Sequence, residues 1–306
     1  MLTLPESVLI EDEALRDGLQ NEQRLFSVAE KRELVAAIAE AGVRRIQVGS
    51  FVSPKWAPQM ANTDELFAVL PARPGLVYSA LVLNRAGLDR ALAAGVKHLS
   101  ISVSASETHS RKNANKSVDE ALADILPTIE RALAEGIAVR AGVQSALGCG
   151  YEGAIDPRQV LRIARLFRDA GAREINIADT AGLADPQLVH RVVTTLRDDL
   201  GADVTLSLHL HDTRGLGLAN MLAGLQAGVT VFDAAVGGLG GCPFIPAATG
   251  NIATEDAVFA LGRMGVATGV DWMKLRPVAL RLAELLGRKL PGRMAYIDGG
   301  PDGARA

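Results

Sequence analysis

Two histidines lie one residue apart in the segment Leu208–Thr213, which reads LHLHDT. Residues at positions i and i+2 of a strand project from the same face, so the imidazoles of His209 and His211 should point the same way. Two structural histidines are the alternative, but a strand end where ligands from separate segments converge favours a metal site. An acidic oxygen from Asp17 and a carbonyl oxygen from Asn251 would suit Mg²⁺ or Mn²⁺, while Zn²⁺, Co²⁺ and Fe²⁺ also bind such groups.

Further reactive side chains follow other predicted strands. Arg16, beside Asp17, is a permanent cation suited to a carbonyl or enolate oxygen, although a surface Arg–Asp pair at a turn is the alternative. Asp179 is another carboxylate at a strand end and is a candidate for contacts to the metal's other ligands. Cys242 follows four glycines within five residues, in a loop that should be able to move, and is a candidate acid or nucleophile.

The elements that must position these groups alternate between short β-rich runs and longer amphipathic stretches, which indicates repeated βα units. Several amphipathic stretches end at a glycine that is followed at once by the next β-rich run. No glycine-rich dinucleotide turn follows the first strand, which disfavours an open doubly wound sheet. We therefore predict an α/β fold, a (β/α)8 TIM barrel with extra C-terminal helices. The eight predicted strands are Val8–Glu11, Arg45–Val48, Val77–Leu83, His98–Val103, Ala138–Val143, Glu174–Ile177, Thr205–Leu210 and Val229–Ala234.

The overall composition is compatible with one catalytic domain over residues 1–306, with the barrel in about 1–265 and helices and a tail in about 266–306. A net charge of −3 gives no basic footprint for nucleic acid. Two cysteines are too few for a disulfide framework, and no apolar run is long enough to span a membrane. We expect a soluble, cytoplasmic protein.

Six stretches together resemble the 3-hydroxy-3-methylglutaryl-CoA lyase family, which belongs to a wider group of metal-dependent barrels. They are spread over most of the chain, from Arg16 to Asp256, and the second and fifth are specific to the lyases within that group. The stretches are RDGLQNE (Arg16–Glu22), SFVSPKWAPQM (Ser50–Met60), ALGCGYEG (Ala146–Gly153), HLHDT (His209–Thr213), GGLGGCPF (Gly237–Phe244) and ATGNIATED (Ala248–Asp256).

The resemblance implies roles for six of the matched residues. It makes Asp17, His209, His211 and Asn251 the metal ligands. It also makes Arg16 the group that polarises the thioester carbonyl, and Cys242 a participant in proton transfer. The implied reaction is retro-Claisen cleavage of 3-hydroxy-3-methylglutaryl-CoA to acetoacetate and acetyl-CoA.

The chain departs from the family pattern near Arg16. Gln47 stands where the family has a glutamate at the end of strand 2, and the loop after strand 1 begins DEALRDG instead of EVGPRDG. A neutral amide cannot act as a base or place a charge beside Arg16, so Gln47 favours a related substrate such as citramalyl-CoA, which would give pyruvate and acetyl-CoA. A Claisen-condensing acyltransferase is a third alternative, disfavoured by SFVSPKWAPQM.

The residues that would bind the acyl-CoA substrate are only candidates. Gln20 lies within RDGLQNE, and the cations at Lys55, Arg111 and Lys112 are available for the phosphates of coenzyme A. The resemblance also suggests a homodimer.

Overall fold

The eight β-rich runs form eight parallel strands that close into a barrel in chain order. The structure is a computed structural model, and it describes residues 3–241 and 250–297. The prediction of a TIM barrel is confirmed. The strands are β1 (Leu9–Asp12), β2 (Arg45–Ser50), β3 (Val77–Val82), β4 (His98–Ser104), β5 (Ala138–Gln144), β6 (Glu174–Asp179), β7 (Thr205–Leu210) and β8 (Val231–Ala234).

The last strand begins two residues later than predicted, at Val231. It pairs with β1 from Leu9 and with β7 from Ser207, and both registers start at Val231. Val229 and Thr230 therefore precede the strand, although the Thr230 carbonyl already accepts a hydrogen bond from Leu9 N of β1 at 2.8 Å.

Helices follow the strands and cover the barrel, and two consecutive helices lie between β4 and β5. Two of the helices begin at serine caps, where Ser27 and Ser117 each form a reciprocal capping box with the glutamate three residues later. The helices are α1 (Val28–Glu40), α2 (Thr63–Val69), α3 (Arg85–Ala93), α4 (Glu107–Ala114), α5 (Val118–Ala134), α6 (Pro157–Asp169), α7 (Pro186–Leu200), α8 (Gly217–Gln226), α9 (Thr254–Arg263) and α10 (Trp272–Leu286).

The glycines predicted to end helices adopt the left-handed backbone conformation that this position requires. Gly42 has φ +101° and Gly171 has φ +99°, in agreement with their position directly before a strand. Helix α10 lies outside the eight βα units. Its buried face, which includes Leu275 and Leu282, packs in one apolar cluster with Leu34 of α1.

The barrel interior is charged where such barrels usually hold branched apolar side chains. Arg140 of β5 is 1% exposed, and its guanidinium bonds carboxylates from the other side of the barrel: Glu11 at 2.8 Å, Glu13 at 2.6 Å and Asp233. Arg45 extends this set through its Nε, 2.6 Å from Glu11. We call Glu11, Glu13, Arg45, Arg140 and Asp233 the ionic layer.

The alternate residues of the same strands point outward and are apolar. Ile10, Ile46, Ile175, Leu208 and Phe232 are at most 1% exposed, and they lie in the apolar clusters beneath the helices. The period-2 pattern therefore separates a charged interior from an apolar layer between strands and helices.

Replacing Arg140 with methionine should lower the free energy of unfolding by about 3–5 kcal/mol, because three buried carboxylates lose their shared cation. Urea unfolding followed by circular dichroism would measure the change. Arg173→Met, at an exposed position before β6, is the matched control. A loss from Arg140→Met below about 1 kcal/mol, the size of an ordinary surface substitution, would contradict a structural role for the layer.

Within the described ranges 3–241 and 250–297, no helix is both long and apolar enough to cross a membrane.

Candidate metal centre and active site

A π-helical turn, Ala14–Gly18, follows β1 and places Arg16 and Asp17 at the mouth of the barrel. Asp12 holds this turn, because its buried carboxylate accepts hydrogen bonds from Ala14 N (3.0 Å), Val236 N (2.9 Å) and Thr254 Oγ1 (2.6 Å). Burial raises the pKa of Asp12 to about 6, against the lowering effect of these donors. One carboxylate thus joins the ends of β1 and β8 to the start of α9.

Three of the predicted metal ligands meet at this mouth. Asp17, His209 and His211 each offer one ligand atom, and these atoms lie within 4.8 Å of one another. The Nε2 atoms of His209 and His211 are 3.0 Å apart, and Asp17 Oδ2 is 3.8 Å from His211 Nε2. The prediction that the two imidazoles share a direction agrees with this geometry.

Asn251, the fourth predicted ligand, lies beside them through an isolated antiparallel bridge to His211. Its Nδ2 donates to Asp17 Oδ2 at 2.7 Å and to the Leu239 carbonyl at 2.9 Å. Its Oδ1 is buried and has no hydrogen-bond partner in the part of the chain that the structure describes. The amide therefore has an oxygen free for a cation.

A glycine leaves space beside these ligands. A Cβ added to Gly240 would lie 2.5 Å from Asn251 Nδ2 and 3.1 Å from Asp17 Oδ2, and the φ of Gly240 is +126°. Any other residue at position 240 would push into the ligand cluster, so its glycine is explained by the site.

The charges around the cluster favour a cation. Burial tends to raise the pKa of Asp17, but the Arg16 guanidinium and the nearby His211 and His209 imidazoles outweigh it, and the pKa lies well below its usual range. Burial tends to lower the pKa of His209, yet Asp233, Glu13 and Asp17 raise it above its ordinary value. A carboxylate, two imidazoles and an unpaired amide oxygen in a negative field fit a divalent metal ion.

Asp233 orients one of the ligands from behind. Its Oδ2 lies 3.2 Å from His209 Nδ1, so a proton on Nδ1 leaves the Nε2 lone pair directed at the cluster. Asn176 Nδ2 donates to the same oxygen at 3.1 Å and fixes the carboxylate in place. Sequence reasoning did not identify Asp233, although it lies on a predicted strand.

An Asp233→Asn substitution should weaken metal binding about 10–100-fold. A carboxylate only accepts and so favours the His209 tautomer with its proton on Nδ1, whereas an amide can also donate to Nδ1 and favours that tautomer less. Titration with Mn²⁺ followed by electron paramagnetic resonance would measure it. Glu11→Gln is the matched control, since Glu11 shares Arg140 with Asp233 and has no contact with His209 among the described residues. Equal losses in both variants would mean that Asp233 acts only through the ionic layer.

Arg16 is held from three directions. Its Nε donates to Gln47 Oε1, its Nη1 donates to Asp17 Oδ1 at 2.6 Å, and its Nη2 donates to Glu13 Oε2. Gln47 also donates through Nε2 to Glu13 Oε1, at 3.0 Å. The guanidinium is therefore fixed beside the cluster, as its predicted role requires.

A second carboxylate lies beside Arg16 although Gln47 stands in place of the family glutamate. Gln47 is neutral and fully buried, but the carboxylate of Glu13 contacts both Gln47 and Arg16. The signal was present in the sequence, since Glu13 belongs to the unusual DEALRDG segment. The two departures from the family pattern are in contact in the fold.

The structure gives Asp179 a role in the loop after β6. Its carboxylate accepts hydrogen bonds from Leu183 N at 2.8 Å and Ala184 N at 3.2 Å. Burial raises its pKa, while these bonds and His211 lower it. Asp179 thus orders the loop beside the site, and its part in catalysis stays a prediction.

The candidate groups for the acyl-CoA follow β1, β2 and β4 and so lie at the same end of the barrel as the ligands. Lys55 is exposed, Arg111 pairs with Glu107 at 3.8 Å, and Lys112 lies 4.8 Å from the centre of the Tyr151 ring. Gln20 has a buried Oε1 without a partner among the described residues. Cys242 lies outside the described residues, so its role stays a prediction.

This arrangement matches a known family. The HMGL-like family model aligns with residues 7–281. The chain belongs to the HMGL-like family. A Pseudomonas aeruginosa relative named 3-hydroxy-3-isohexenylglutaryl-CoA/hydroxymethylglutaryl-CoA lyase is 40% identical over 294 residues, which are 96% of this chain and 98% of that protein.

Solved structures of HMGL-like proteins share the whole fold. The HMG-CoA lyase of Bacillus subtilis superposes with a TM-score of 0.92 at 38% identity, covering 95% of this chain and 98% of that one. An HMG-CoA lyase from Acinetobacter baumannii, in complex with coenzyme A and 3-methylmalate, has a TM-score of 0.92 at 34% identity and covers 99% of this chain and 98% of that one. The prediction of a lyase of this family is confirmed.

Proposed function

We propose that the protein is a divalent-metal-dependent carbon–carbon lyase that cleaves 3-hydroxy-3-methylglutaryl-CoA to acetoacetate and acetyl-CoA. The observation that carries the proposal is the convergence of Asp17, His209 and His211 with the free Oδ1 of Asn251 beside the fixed guanidinium of Arg16. The relatives named as lyases of this substrate support it.

The chemistry divides between a cation and the residues of the chain. A Mg²⁺ or Mn²⁺ ion held by the four ligands would lower the pKa of the substrate's tertiary hydroxyl. Arg16 binds the thioester oxygen and stabilises the enolate of acetyl-CoA, which takes the electron pair of the broken carbon–carbon bond. The hydroxyl gives its proton to a base of the site and becomes the ketone of acetoacetate. An acid, for which Cys242 is the candidate, protonates the enolate carbon, so no proton is gained or lost overall.

The substrate assignment is strengthened by the carboxylate found near Arg16. Gln47 favours citramalyl-CoA because a neutral amide cannot place a charge beside Arg16, but Glu13 places a carboxylate there. The part of the argument for citramalyl-CoA that depends on a missing charge therefore loses its physical basis. Citramalyl-CoA remains the comparison substrate for the experiment.

The deciding experiment incubates the chelator-stripped protein, reloaded with Mg²⁺ or Mn²⁺, with each acyl-CoA separately. Acetyl-CoA, acetoacetate and pyruvate are measured. We expect acetyl-CoA and acetoacetate in equal amounts from 3-hydroxy-3-methylglutaryl-CoA, and no product from the stripped protein. Acetyl-CoA and pyruvate from citramalyl-CoA, with none from 3-hydroxy-3-methylglutaryl-CoA, would overturn the proposed substrate.

We further propose that the chain acts as one catalytic domain whose partner is the small acyl-CoA, with Gln20, Lys55, Arg111 and Lys112 as its candidate contacts. The choice between Mg²⁺ and Mn²⁺, the homodimer, the absence of nucleic-acid and membrane partners, and the cytoplasmic location stay predictions.

A further inference from the structure

Glu13 joins the reactive cluster to the charged interior of the barrel. It lies between β1 and the π-helical turn and is fully buried. One carboxylate oxygen accepts from Arg140 Nη2 at 2.6 Å and from Gln47 Nε2 at 3.0 Å. The other accepts from Arg16 Nη2 and lies 3.6 Å from His209 Nδ1.

The neighbours of Arg16 differ in what they offer when a cation occupies the site. Asp17 is a proposed ligand, so a bound cation would neutralise part of its negative charge and weaken its attraction to Arg16. Gln47 accepts one hydrogen bond but is neutral. Glu13 is the remaining carboxylate in hydrogen-bonding contact with the Arg16 guanidinium among the described residues.

The hydrogen bonds also define a direction for the guanidinium. Glu13 and Gln47 bind two adjacent nitrogens of Arg16, Nη2 and Nε, and Gln47 is itself braced against Glu13. Charge-assisted bonds to a fixed carboxylate restrict both the rotation and the displacement of a guanidinium. Arg140 in turn fixes Glu13, so the position of Arg16 is set from inside the barrel.

We propose that Glu13 is a positioning residue of the reaction: directly after β1, it supplies the carboxylate that orients Arg16, a task that Gln47 cannot perform alone. This inference rests on the proposed function for its catalytic consequence, and on the contacts of Arg16 for its structural one. Glu13 and Gln47 act as one carboxylate–amide pair contributed by neighbouring strands.

The test compares Glu13→Gln with the exchange variant Glu13→Gln/Gln47→Glu, which puts the carboxylate back on the other strand at unchanged net charge. We expect Glu13→Gln to lower kcat about 10–100-fold, the usual effect of losing a residue that orients a reactive group, with the KM for the acyl-CoA nearly unchanged. The exchange variant should recover most of the lost kcat, because Arg16 regains a carboxylate partner.

Glu11→Gln is the matched control for a purely structural effect. It removes a buried carboxylate that contacts Arg140, Arg45 and, through a long 3.5 Å hydrogen bond, Gln47 Nε2. Among the described residues it does not contact Arg16. We expect it to lower stability while kcat falls much less than in Glu13→Gln. A wild-type kcat in Glu13→Gln, or equal kcat losses in Glu11→Gln and Glu13→Gln with no recovery in the exchange variant, would overturn the proposal.

A measurement without substrate separates this proposal from the proposed function. The ¹⁵N–Hε resonance of Arg16, identified by its absence in Arg16→Lys, should exchange faster with solvent in Glu13→Gln than in Glu11→Gln. Unchanged exchange in Glu13→Gln would contradict the positioning role even if the enzyme is active. A wild-type protein that cleaves no acyl-CoA would contradict the proposed function, while the resonance would still decide whether Glu13 holds Arg16.

Discussion

Replacing His209 with alanine should reduce kcat/KM for 3-hydroxy-3-methylglutaryl-CoA roughly a thousandfold or more, because the proposed metal supplies several kcal/mol of stabilisation to the reaction. His209 lies 3.0 Å from His211 and provides one of the converging nitrogens. The fold should survive, since Asp233 keeps its bonds to Arg140 and Asn176. Acetyl-CoA release and Mn²⁺ binding by electron paramagnetic resonance measure the two effects.

The control for His209→Ala is His190→Ala, which removes an imidazole from an exposed position of α7. It should change neither turnover nor Mn²⁺ binding. Near-wild-type turnover in His209→Ala, with an unaltered circular dichroism spectrum, would show that His209 is no ligand of a catalytic metal.

Replacing Arg16 with lysine should lower kcat about 10²–10³-fold, the effect seen when a fixed donor to a developing oxyanion is lost. Lysine retains the positive charge, but its three N–H donors radiate from one nitrogen. It therefore cannot span the separate positions of Glu13, Gln47 and Asp17 as the planar guanidinium does. Because the loss acts on the enolate, the KM should change little. Steady-state kinetics with the reloaded enzyme would separate the two constants.

Arg85→Lys, on the exposed start of α3, is the corresponding control and should leave both constants unchanged. If Arg16→Lys raised KM and left kcat intact, Arg16 would bind the ground state and the transition state equally and would not act on the enolate.

Much of the fold follows from local signals in the sequence. Each strand is a short β-rich run, and glycines such as Gly42 and Gly171 end helices directly before the next strand. The ligand cluster was predictable for a related reason. The imidazoles of His209 and His211 share a face of one strand, and the ends of parallel strands meet at one rim of a barrel.

The residues behind the cluster were not predictable in this way. Arg140 meets Glu11 across 129 residues of sequence and Asp233 across 93. In a single sequence, a polar residue that alternates with apolar ones on a strand indicates a solvent-facing side chain, and here it faces the barrel interior. Glu13 was missed because its importance depends on contacts with Gln47 and Arg140 from two other strands.

Asp179 has a structural use that its place in the sequence did not reveal. A carboxylate at the end of a strand is typical of a catalytic group, but the same position also suits an acceptor for the backbone of the following loop. Its bonds to Leu183 and Ala184 show that the second use is present here. The residue type and its position after a strand do not distinguish a catalytic carboxylate from one that binds the loop backbone.

The ionic layer also constrains how this sequence can diverge. Arg140 is shared by Glu11, Glu13 and Asp233, so a change at any one of the four alters the charge balance felt by the other three. Their mutational effects should be strongly epistatic, since residues in one network of buried charges do not contribute additively. An apolar barrel interior could match the stability of the charged one, but every intermediate would hold an unpaired buried charge. We therefore expect diverging sequences either to keep the whole ionic layer or to replace all of its residues together.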